Sequence, residues 1–101
     1  MDRTVAVVGT LDTKALEIRY LKDEIEARDC GTLIVDVGVF PQDRVKPDVG
    51  REEVARAAGW DVADMLQKGD RSLAVKIMME GGARLLKELY DGGRFSGIVA
   101  L

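Results

Sequence analysis

Gly9, Thr10, Asp12, Thr13 and Lys14 crowd into the end of "VVGTLDTK", Val7 to Lys14, and offer together a turn-forming glycine, two hydroxyls, a carboxylate and an ammonium. Such a set suits an anion. Backbone N–H groups left free where a strand turns into a helix, with the helix dipole behind them, favour a phosphate at that place. Thr10 and Thr13 add hydroxyl donors and Lys14 a mobile positive charge, whereas Asp12 repels a phosphate unless it faces a ribose, a metal ion or its own helix's amides. The same residues also read as a plain helix cap, with Asp12 or Thr13 in the capping position. One glycine stands where G-x-x-x-x-G-K-[ST] and G-x-G-x-x-G need more, so neither nucleotide fingerprint is complete.

A second carboxylate, Asp36, closes the apolar run "TLIVDV" about 20 residues further on, the place where dinucleotide folds put the acid that binds ribose hydroxyls. Its alternative is an Asx-type turn, with Asp36 accepting a local amide before Gly38 turns the chain. Trp60 and Phe40 read as packing anchors, and the charges of "REEVAR" as an exposed helix face.

What the composition excludes narrows the chemistry further. There is no histidine and only one cysteine, Cys30, so the usual zinc sets and an internal disulfide are absent. No nucleophile elbow or convincing carboxylate pair marks a self-contained catalytic centre, although Asp12 and Lys14 can join one completed by other residues. The 15 Lys and Arg are interleaved with 18 Asp and Glu, which gives nucleic acid no basic footprint. Met1-Asp2-Arg3 followed by five apolar-rich residues is neither a secretion signal nor a membrane span, and the expected compartment is the cytoplasm.

The elements that must hold these residues follow from periodicity. Thr4 to Val8 is a short β-branched strand, and Lys14 to Arg28 repeats Ile18, Leu21 and Ile25 at helical spacing before Asp29-Cys30-Gly31 supplies a glycine stop. Leu33, Ile34 and Val35 are consecutive and apolar, which predicts a strand buried on both faces, as a parallel sheet requires. Gly38 to Gly50 holds both prolines and reads as a long loop. Arg51 to Ala58 and Asp61 to Lys68 are short helices, and a longer one runs from Asp70 or Ser72 toward Tyr90. Its central Gly81-Gly82 predicts a close backbone approach. "FSGIVAL" starts a third strand. The expected fold is α/β, a Rossmann-like three-layer sandwich with a short parallel sheet in the order 2-1-3, truncated after the third strand.

"VVGTLDTK", "VDVG", "PDVGREEVARAAG" and "MMEGGARLL" together resemble the N-terminal ATP-binding domain of the tobamovirus-resistance protein and its uncharacterised bacterial and fungal relatives. The resemblance implies residues 1–101 as a partial nucleotide-binding domain, with ATP as cofactor, with or without Mg2+. It places Gly9, Thr10, Asp12, Thr13 and Lys14 at the site and Asp36 with Gly38 beside it. The expected partner is therefore a nucleotide, not nucleic acid or membrane, with no turnover assigned. The alternatives are an enzyme fragment completed by residues outside the chain and a protein-interaction module. The apolar third strand adds an expected homodimer.

Overall fold

The computed structural model describes residues 3–101; Met1 and Asp2, on which the leader reading partly rests, lie outside it. Strand β1 (Thr4–Gly9) is followed by helix α1 (Leu11–Glu26) and strand β2 (Gly31–Asp36). Helices α2 (Arg51–Ala57), α3 (Val62–Gln67) and α4 (Arg71–Asp91) lead to strand β3 (Gly97–Ala100). The sheet is parallel throughout and runs β2-β1-β3, the order that right-handed crossovers require.

Alternation along the strands builds the two cores. Val7 and Ile34 point to one face and are covered by Leu11, Ala15 and Ile18 of α1. Ala6, Val8, Leu33 and Val35 point to the other, against Val54, Met65, Ile77 and Met78 of α2, α3 and α4. With helices on both faces, the consecutive Leu33, Ile34 and Val35 are all buried, as a three-layer sandwich demands. The close approach expected at Gly81 is real: a Cβ there would stand on the backbone carbonyl of Val54, so α2 and α4 meet backbone to backbone.

Two helix boundaries differ from the sequence expectation, each for a physical reason. Helix α1 begins at Leu11, three residues before Lys14, because a carboxylate from β2 accepts the Leu11 N–H; Lys14 itself departs from helical geometry (φ −118°, ψ 20°). Neither Asp12 nor Thr13 caps it: the capping position is Thr10, without a side-chain hydrogen bond. At the other end the left-handed residue is Asp29 (φ 59°), and Gly31 enters β2 instead of stopping the helix. Helix α4 is capped by Asp70, whose carboxylate accepts the Leu73 N–H at 3.1 Å.

The long loop returns to the sheet. Val49 accepts the Asp36 N–H at 2.9 Å, and Asp48 and Val49 donate their N–H groups to Ile34 at 2.9 and 3.0 Å. The Asp48 carboxylate accepts the Ile34 N–H at 2.7 Å. On the opposite side of the sheet, β3 leaves Ile98 about half exposed. Among the described residues no helix is long and apolar enough to cross a membrane.

Candidate functional site

In an open parallel sheet the loops that follow the strands diverge and leave a crevice at the strands' carboxyl ends. Here that crevice holds a cavity of about 330 Å³ between the head of α1, the segment after β2 and the first turns of α4. Its polar lining is Thr10, Asp12, Thr13 and Arg71. Its apolar wall is Val37, Val39 and Phe40 on one side and Val75, Met78 and Met79 of α4 on the other. Phe40 and Arg71 also border a smaller cavity of about 190 Å³ that reaches toward Met65 and Leu66.

The residues singled out from sequence divide sharply. Thr10, Asp12 and Thr13 line the cavity, with the two threonine hydroxyls 2.7 Å apart and sharing a hydrogen bond. Lys14 does not line it; its ammonium lies 3.9 Å from Glu17 on the exposed side of α1. Gly9 sits beneath α1, where a Cβ would come within 2.7 Å of Ile18 Cδ1, so its glycine character serves packing. Asp36 is only 3% exposed. Its Oδ1 accepts the Leu11 N–H at 3.2 Å and the Gly38 N–H at 2.8 Å. Asp36 thus occupies the α1 amide that an incoming anion would have used, and makes the Asx turn as well.

Gly38 bridges the two carboxylates: a Cβ on it would lie 2.7 Å from Asp12 Oδ1 and 2.9 Å from Asp36 Oδ1. Burial raises the Asp36 carboxyl above the ordinary aspartate range, against the lowering effect of the Gly38 and Leu11 amides. The nearby charge of Asp12 raises it further and that of Arg51 lowers it. Arg51 is itself held in place, donating from Nη1 to the Val39 carbonyl at 2.9 Å.

Sequence reasoning missed Arg71 and gave Phe40 only a packing role. Arg71 is the first residue of a 21-residue helix, where a positive charge opposes the helix dipole. Among the described residues it has no carboxylate within ion-pair distance. That misplaced charge, directly after a capping aspartate, was the readable signal. No group of three or more side chains able to hold a metal ion occurs among the described residues.

Residues 3–101 match the family model described as "Uncharacterised protein family (UPF0261) N-terminal domain". A UPF0261 protein of Clostridium tetani is 37% identical over 101 residues, which is all of this chain and 25% of the relative. A UPF0261 protein of Brucella suis is 32% identical over 97 residues, 96% of this chain and 23% of the relative. One of Rhizobium meliloti is 37% identical over 99 residues, 98% of this chain and 24% of the relative. The chain therefore spans about a quarter of the length of these relatives. No solved structure matches it significantly. These matches correct the resemblance to the tobamovirus-resistance protein: the family they show is UPF0261, whose description names no ligand. The description of the domain as ATP-binding, inferred from that resemblance, falls with it, and the residues themselves must carry any reading of the site.

Proposed function

We propose that this chain, which belongs to the uncharacterised protein family UPF0261 and lies in its N-terminal domain, binds a small phosphorylated ligand carrying an apolar or aromatic ring. The observation that supports this most is Arg71 at the positive end of α4, a cation with no carboxylate at ion-pair distance among the described residues, which lines the same cavity as Thr10 and Thr13. A phosphate there would relieve the charge that the helix dipole opposes and take hydrogen bonds from both sides. The wall of Phe40, Val75 and Met79 suits a ring, and Asp12, on the polar side, suits a hydroxyl donor. Nucleoside phosphates combine these groups. A single arginine beside a carboxylate does not match a triphosphate's full charge, so a less charged member of the class fits the residues better. The compartment that goes with this reading is the cytoplasm, in keeping with a lone cysteine.

Isothermal titration with ATP, AMP and inorganic pyrophosphate tests the site. Arg71→Gln is expected to weaken binding about 10- to 100-fold, since a charge-assisted hydrogen bond contributes about 1.5–3 kcal/mol. Equal affinity in the variant, or no heat with any of the three, would dismiss the reading.

A second reading, self-association, is favoured by a separate surface. Leu16 and Tyr20 on the outer face of α1 are 65% and 64% exposed, and with Leu101 they border one shallow apolar depression. Covering such side chains contributes about 1.5–3 kcal/mol each. Sedimentation over a rising concentration series is expected to show a shift toward twice the monomer mass. A monomer at every concentration removes this reading.

A further inference from the structure

We propose that the smaller cavity, between Phe40 and the corner where α3 turns into α4, is a second subsite for the same ligand and takes an apolar group one ring further from the phosphate. This rests on the ligand reading above and narrows it: the phosphoester carries two fused or linked rings, or a chain of that length, in place of a single ring.

The two cavities adjoin. Val39, Phe40 and Arg71 border both, whereas the Thr10 and Thr13 hydroxyls border only the larger. What the smaller one adds is Met65 and Leu66 of α3 and Ala74 of α4, of which Met65 and Ala74 are buried. Its carboxylate, Asp70, is engaged as the cap of α4, accepting the Leu73 N–H. A phosphate held by Arg71 therefore has hydroxyls on one side of it and an apolar chamber on the other.

The backbone explains why the chain does not fill this space itself. Gly69, at φ 63°, turns α3 into α4 with no side chain to give, and nothing lies within 4 Å of the place where its Cβ would stand. Phe40, on the opposite side of the gap, is half exposed instead of closing it. Its N–H is held by Asp12 Oδ2 at 3.3 Å and the carbonyl of Val39 by Arg51 Nη1 at 2.9 Å, so the backbone that carries the ring is tied at two points beside both cavities.

An apolar cavity of about 150 Å³ is enough to take a benzene ring. At about 190 Å³ the smaller cavity has room for one. A ring there gains dispersion contacts with Met65, Leu66 and Ala74 and covers part of Phe40 from water. A polar group gains little in the same place, since Asp70 is engaged with its own helix and Arg71 with the phosphate.

Phenyl phosphate and naphthyl phosphate carry the same charged group and differ by one fused ring, so methyl NMR with these two probes tests the subsite. With phenyl phosphate the Val75 and Met79 methyls, which border only the larger cavity, are expected to shift while those of Met65 and Ala74 stay. With naphthyl phosphate all four are expected to shift, and affinity by titration calorimetry to rise about 10- to 100-fold, the gain from burying the carbons of one further ring. Leu66→Trp, at a partly exposed position where a larger side chain can enter the smaller cavity, is expected to remove most of that gain. Should the variant fail to fold, the shifts in the native protein decide. Met65 and Ala74 methyls that stay in place with naphthyl phosphate, or equal affinities for the two probes, would overturn the subsite and leave the ligand reading standing. If neither phosphate binds but naphthol moves the Met65 and Ala74 methyls, the ligand reading falls and the apolar subsite stands. If none of the three probes moves them, both are overturned.

Discussion

Gly81→Ala is expected to destabilise the domain by about 3 kcal/mol, the upper end of what an inserted methyl costs in a close-packed interior. Helix propensity alone predicts the reverse sign, since alanine in mid-helix is favoured over glycine by about 1 kcal/mol. Packing decides against propensity because the new Cβ would fall on the Val54 carbonyl, which is backbone and cannot rotate aside. Helices α2 and α4 would have to part, and the buried side chains of Val54, Ala55 and Met78 would lose their contacts. Gly82→Ala is the matched control: its Cβ would meet only a Val37 methyl, at 3.1 Å, which can shift. Urea denaturation midpoints should separate the two variants clearly. An unchanged or higher midpoint for Gly81→Ala would show that the helices are not locked together at this point.

Ile18→Ala is expected to cost about 2–5 kcal/mol, the range for emptying a fully enclosed aliphatic position. Ile18 has no exposed surface and lies on Gly9, at the junction of β1 and α1, so its loss would leave a void that neither the strand nor the helix can collapse to fill. The same contact predicts a coupling. Gly9→Ala on its own forces Ile18 Cδ1 to move, whereas in Ile18→Val, which lacks that methyl, the added Cβ has room. A double-mutant cycle read by thermal melting should therefore show Gly9→Ala less harmful in the Ile18→Val background. Strict additivity would mean that Gly9 is a glycine for some reason other than Ile18.

Most of the architecture was legible because it rests on local periodicity. Ile18 repeating with Leu21 and Ile25 reveals α1, the unbroken Leu33-Ile34-Val35 reveals a strand covered on both faces, and the crossover rule then fixes the order β2-β1-β3. What sequence could not show was made by contacts between distant segments. The start of α1 at Leu11 depends on Asp36, 25 positions away, so no local capping rule could find it. For the same reason nothing local revealed that the Asp36 carboxylate holds both Leu11 and Gly38. Thr10, Asp12 and Thr13 were found as cavity residues, since a strand-to-helix turn exposes them wherever it occurs. Arg71 belongs to a helix about 60 residues further on, and only the fold brings it across from them.

The return of Asp48 and Val49 onto Ile34 and Asp36 makes the sheet one-sided with respect to growth. At Ile34 and Asp36 the outer backbone groups of β2 are already bonded, so a further strand finds more free groups beside β3 than beside β2. If two copies join there, each presents outward a β2 flank already occupied at Ile34 and Asp36. Such a pairing terminates at two, and the parallel arrangement that would otherwise seed an unlimited stack of strands has nowhere to continue.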